Sequence, residues 1–131
     1  LDAKISFFGK YSLFTKPLLG RFLKYMGGIP VDKSKPGKGL TDVAIANMKK
    51  LNGSLIAISP EGTRAKTTKM RSGFLRIASA VEGQIFLGAF DFGRKRIFLD
   101  TFYKPTGNFE QDLQWVREYF KQYQAKHPEK Y

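Results

Sequence analysis

The run Ser54-Leu55-Ile56-Ala57-Ile58-Ser59, closed by Pro60-Glu61-Gly62-Thr63-Arg64, decides the fold of this 131-residue chain. Six residues between Gly53 and Pro60 are too few for a helix, and an unbroken apolar run implies burial on both faces, so the segment reads as a buried parallel strand. A parallel strand needs a crossover before it. Upstream, Thr41 is a plausible N-cap with Asp42 in the first turn. Ala44, Ile45, Met48 and Leu51 form a stripe that Gly53 ends. Further back, Pro17 suits a first helical position. Leu18, Leu19, Phe22, Leu23 and Met26 share one face, Gly27 and Gly28 stop the helix, and a short strand from Ile29 to Asp32 follows.

Downstream, Ser72 is placed to cap a short helix from Gly73 to Val81, closed by Gly83. Gln84–Asp91 and Arg96–Tyr103 are rich in Ile, Leu and Phe, and the tight Gly93-Arg94-Lys95 connection makes them a hairpin. Asn108 with Gln111 forms a capping box, after which Phe109, Leu113, Val116, Phe120 and Tyr123 step by four, three, four and three. The expected architecture is α/β: a single domain over residues 1–131, with a mixed, mostly parallel sheet, flanking helices, and a C-terminal hairpin plus helix.

Composition narrows the function. Hydrophobic types make up 42% and aromatics 15%, enough for a packed core. The chain has no Cys, which excludes disulfides, a thiol nucleophile and Cys-ligated metal, and fits a reducing compartment. With 23 basic and 11 acidic residues the net charge is +12, a surplus that calls for an anionic partner. Residues 1–40 carry 8 basic and 2 acidic side chains, whereas residues 84–131 carry 8 and 6. No acidic residue interrupts 33–39 or 62–76, and both loops follow strand ends, where open α/β sheets bind ligands. The segment from Ile5 to Pro17 mixes aromatics with Lys10 and Lys16. Such a stretch can lie in a membrane interface, but most of its rings are expected to fill the core, leaving Lys10, Lys16, Arg21 and Lys24 toward lipid headgroups.

Pro60-Glu61-Gly62-Thr63-Arg64 has the chemistry of a phosphate cradle. Pro ends the strand and Gly lets the backbone pass close to a ligand. Thr63, Arg64 and free N–H groups donate, Arg64 bidentately. Glu61 can orient the cationic side chains or accept from a substrate hydroxyl.

The segment Ile58–Arg64 closely resembles the signature of the glycerolipid acyltransferase family, of the lysophosphatidic-acid acyltransferase (1-acylglycerol-3-phosphate O-acyltransferase) type. Gly27-Gly28-Ile29-Pro30-Val31-Asp32-Lys33 resembles the family's upstream block, with Lys33 where Arg is usual. Met70-Arg71-Ser72-Gly73-Phe74 resembles its basic-x-Gly segment, and Gln84–Gly88 stands where a Val-Pro-Ile strand is common. The resemblance implies an acyltransferase that moves an acyl group from acyl-CoA or acyl carrier protein to a lysophospholipid or glycerol-phosphate-type acceptor. It also implies that Lys33, Glu61, Gly62, Thr63, Arg64 and Arg71 gather around the acceptor phosphate. Lys33 keeps the charge there but gives up the planar fork.

The family's His and Asp, five positions apart, are not in this chain. Its one His, His127, lies too near Tyr131 and reads as a solvated tail residue, so the block is expected before Leu1, on a chain truncated at its amino end. No catalytic residue, metal or cofactor is therefore assigned. The expected setting is cytoplasmic and peripherally bound to an anionic membrane. A non-catalytic module that binds anionic membranes is the alternative. Nucleic acid is set aside as a partner, because no RNP-like, helix-turn-helix or zinc-finger pattern occurs.

Overall fold

The computed structural model describes residues 5–32, 39–50, 55–60 and 70–126. They fall in two compact units, residues 1–58 and 59–131. The chain is mixed α/β as expected, but among the described residues parallel and antiparallel pairing occur in separate sheets rather than in one.

The first unit runs β1 (Ile5–Lys10), α1 (Tyr11–Phe14), α2 (Pro17–Tyr25), β2 (Gly28–Val31), α3 (Leu40–Lys50) and β3 (Leu55–Ala57). Its sheet has the order β2-β1-β3 and is parallel throughout, with Lys10 opposite Val31 and Phe7 opposite Ala57. The sequence does not announce β1, because Ile5-Ser6-Phe7-Phe8-Gly9-Lys10 neither alternates nor runs apolar to its end. It is nevertheless the central strand. β3 is parallel as expected but lies at the edge, and Leu55 is 51% exposed, so its apolar run does not mean burial. α3 starts one residue ahead of Thr41. The Gly39 carbonyl accepts from the Asp42 and Val43 N–H groups, so Gly39 and not Thr41 opens the helix.

Glycines set how closely this unit packs. The buried Phe14 ring lies against Gly9 and Gly28, where added Cβ atoms would approach it to 2.8 and 2.9 Å. Gly20 turns the inner side of α2 onto the Phe14 carbonyl, which a Cβ there would overlap. Gly27 has φ +89° and its carbonyl accepts from the Phe7 N–H at 3.2 Å. The Gly27-Gly28 pair thus has reasons of fold to be glycine: close packing at both positions and, at Gly27, a left-handed backbone as well.

The second unit contains α4 (Gly73–Ala80), β4 (Ile85–Asp91), β5 (Arg96–Tyr103) and α5 (Phe109–Phe120). Leu75, Ile77, Ala78, Leu87, Ala89 and Val116 are its buried apolar residues. Ser72 occupies the N-cap of α4, but its side chain makes no capping bond. α4 ends with the Gly83 N–H donating to Ala78 O at 2.8 Å, and the left-handed residue there is Glu82 (φ 52°), not Gly83. The hairpin turns where expected. The buried Asp91 carboxylate accepts from the Arg94 N–H at 2.9 Å, and the Phe92 N–H donates to Gln124 O, tying the turn to the segment after α5. The Asn108 side chain accepts from the Gln111 N–H at 3.3 Å, the expected cap of α5.

A stacked series of rings joins β5 to α5. Trp115 lies between Tyr103 and Tyr119, with centroids at 4.4 and 5.9 Å, and Tyr123 packs on Phe98. The Tyr119 hydroxyl donates to Asp100 at 2.9 Å and accepts from Tyr123 at 3.0 Å. Burial, then the hydrogen bond and charge of Asp112, push Tyr103 up to about 12. Burial, against a bond to Thr101 and with bonds to Tyr123 and Asp100, pushes Tyr119 to about 12 as well. Both hydroxyls release their protons more easily in the unfolded chain. Their contribution to stability is therefore complete below pH 10 and is lost between 10 and about 12. An absorbance titration of the 6 tyrosines is expected to show two ionising late, and urea midpoints to fall across that window.

Candidate functional site

In a parallel sheet every strand ends at the same edge, and helix-facing crossovers leave the loops at that edge free for ligands. β1 ends at Lys10, β2 at Val31 and β3 at Ala57, so the chain runs on toward Lys33 and toward Glu61 from one edge of the first unit's sheet. β1 stands between its two partners, which sets the ends of β2 and β3 two strand spacings apart, about 10 Å.

Of the residues expected to form the site, Lys33, Glu61, Gly62, Thr63 and Arg64 lie outside the described residues, and Arg71 lies within them. The Arg71 N–H donates to the Pro60 carbonyl at 3.0 Å. That bond holds the Arg71 backbone beside Pro60, the residue that precedes Glu61. The Arg71 side chain is exposed, two residues before α4.

One cation at the sheet edge was not apparent from sequence. Lys10, exposed, closes the central strand opposite Val31, one residue before Asp32. Read as part of an aromatic and basic segment, it had no reason to join the loops. Once Ile5–Lys10 is a strand flanked by both others, Lys10 becomes the middle position of their common edge. The signal available in the sequence was a basic residue directly after an apolar, glycine-ended stretch, which strands and amphipathic helices share.

Elsewhere the structure offers less to a phosphate. A shallow depression at the hairpin turn, lined by Phe90, Phe92, Lys95, Arg96 and Ile97, contains none of the expected site residues. Asp112 is fully buried but accepts hydrogen bonds from Tyr103 and Thr106, a structural commitment that leaves it no reach to a ligand. Among the described residues no three His, Asp or Glu side chains are grouped to hold a metal ion, and no helix is long and apolar enough to cross a membrane.

Comparison with known proteins finds no significant match among curated proteins or solved structures. A family model described as Acyltransferase does match, over residues 1–88. The match takes in the whole parallel sheet, the Pro60–Arg64 sequence, Arg71 and α4, and ends inside β4. The hairpin's second strand and α5 lie beyond it. By that match, over two thirds of its length, the chain belongs to the acyltransferase family.

Proposed function

We propose that the protein transfers an acyl group from a thioester, acyl-CoA or acyl carrier protein, to a lysophospholipid or glycerol-phosphate-type acceptor held at an anionic membrane surface. This chain supplies the acceptor's phosphate site. The observation that carries the reading is the common edge of three parallel strands, from which the chain continues toward Lys33 and toward the Glu61–Arg64 turn. Arg64 grips two phosphate oxygens, the backbone N–H groups around Gly62 fill the remaining acceptor positions, and Thr63 adds a hydroxyl donor. Lys33 and Lys10 flank the anion, with Arg71 at the loop's stem. Glu61 keeps the cations apart and aligned, which a cluster of like charges needs when the ligand is absent.

In the reaction itself, the acceptor's hydroxyl oxygen forms a bond to the thioester carbonyl carbon, the carbon–sulfur bond breaks, and the hydroxyl proton leaves with the thiol. Anchoring the phosphate holds that hydroxyl at a fixed distance, the entropic part of the rate enhancement. The test is thiol release by the native protein with lysophosphatidate or with its neutral monoacylglycerol counterpart. Removing one charged hydrogen-bond donor typically costs about 1.5–3 kcal/mol, so Arg64→Ala is expected to raise KM for lysophosphatidate about 10- to 100-fold and leave donor KM unchanged. Equal rates with the neutral acceptor, or an Arg64→Ala enzyme with ordinary acceptor KM, contradict the phosphate site.

A further inference from the structure

Most of the apolar face of α2 turns outward. At 100° per residue, Tyr25, Leu18, Phe22, Met26 and Leu19 fall within one arc of about 120°. Leu18 is 86% exposed, Tyr25 88% and Phe22 58%. The helix is seated instead through Gly20, pressed on the Phe14 carbonyl, and through the half-buried Leu23 beside it. Arg21 and Lys24, both exposed, occupy the arc next to the apolar one, and Lys16 sits at the N-cap. No acidic residue occurs between Asp2 and Asp32.

We propose that α2 is an interfacial helix that seats the protein on an anionic bilayer. Its Leu18, Phe22 and Tyr25 enter the acyl boundary while Arg21, Lys24 and Lys16 lie among the headgroups. The sidedness selects this occupant. A packed helix turns its apolar arc inward, and a protein partner of mixed charge would not be matched by a purely cationic rim. A bilayer surface carrying negative lipids matches both arcs at once. The proposal deepens the reading above, which places the acceptor in a membrane, and is measured without an acyl donor. Vesicle binding through α2 without thiol release overturns only the acyl-transfer reading; transfer without entry of α2 into lipid overturns only this one.

Because the chain has no Cys, Tyr25→Cys gives one site for an environment-sensitive fluorophore, and Gln122→Cys in the second unit gives a control. With vesicles of phosphatidylcholine and phosphatidylglycerol, the label at 25 is expected to shift to the blue and brighten, while the label at 122 stays unchanged and phosphatidylcholine alone has no effect. Leu18→Ser/Phe22→Ser keeps the net charge at +12 and, both sites being exposed, keeps the fold, yet is expected to weaken vesicle partitioning at least about tenfold. Arg21→Gln/Lys24→Gln is expected to weaken it by a comparable factor. Three results overturn the proposal: wild-type partitioning by the Leu18→Ser/Phe22→Ser protein, which would make charge alone the cause; no response of the label at 25; or a label at 25 already shielded in a concentration-dependent way without lipid, the mark of a second copy.

Discussion

Asp112→Ala is expected to lower the urea midpoint of the second unit by an amount worth about 3–5 kcal/mol, because it strands several buried donors at once. Asp112 is fully buried in the first turn of α5. Its carboxylate accepts from the Tyr103 hydroxyl at 2.6 Å, the Thr106 hydroxyl at 2.7 Å and the Thr106 N–H at 3.2 Å. One side chain thus joins the end of β5, the following loop and α5. Alanine removes the acceptor and leaves all three donors without it, while Asp112→Asn keeps one acceptor oxygen and is expected to lose less. Acid separates the wild type from both variants. Desolvation raises the Asp112 carboxyl, but the bonds from Tyr103 and Thr106 outweigh it and hold it below the ordinary 3.8. Its contribution is therefore complete above pH 3.8 and disappears as pH falls through the lowered value. The slope of stability against pH in that range is expected to flatten in Asp112→Asn.

Gly27→Ala is expected to cost the first unit about 3 kcal/mol, from two sources that a second glycine separates. Gly27 has φ +89°, and an added Cβ would overlap the carbonyl oxygen of Ile5 in the central strand. Gly107 has φ +96° but no atom within 4 Å of such a Cβ. Gly107→Ala therefore measures the left-handed backbone alone, about 1 kcal/mol. The excess at Gly27 measures how firmly the turn after α2 is pressed on β1. Equal losses at the two positions, read from urea unfolding, would show that β1 yields to the extra methyl group.

These two residues also mark what a sequence makes legible. Local grammar carried far: Pro17 starts α2, Asn108 caps α5, the Gly93-Arg94-Lys95 connection turns the hairpin, and the Leu55–Ala57 segment is a parallel strand. Each of these depends on neighbours within a few residues, where propensity and capping act. β1 escaped because it is defined by partners at positions 28–31 and 55–57, not by its own pattern. The periodicity of α2 showed which residues share a face but not which way that face turns; that depends on Gly20, whose missing side chain lets a different face approach Phe14. Asp112 reads in sequence as an exposed carboxylate favouring a helix N-terminus, and only the fold makes it an internal acceptor. At the candidate site, the acid-free basic stretches and Arg71 were legible in the sequence, strand pairing added Lys10 to the sheet edge, and a backbone hydrogen bond put Arg71 beside Pro60.

A shared phosphate cradle requires Lys33 and the Glu61–Arg64 segment to face one anion, and one distance tests that requirement. With no Cys in the chain, Lys33→Cys/Thr63→Cys accepts exactly two spin labels, whose separation pulsed electron resonance reads. Strand ends two spacings apart predict a single narrow distribution below about 25 Å between labels. A distribution centred beyond about 35 Å would put the two loops on different sides of the protein and contradict the phosphate cradle.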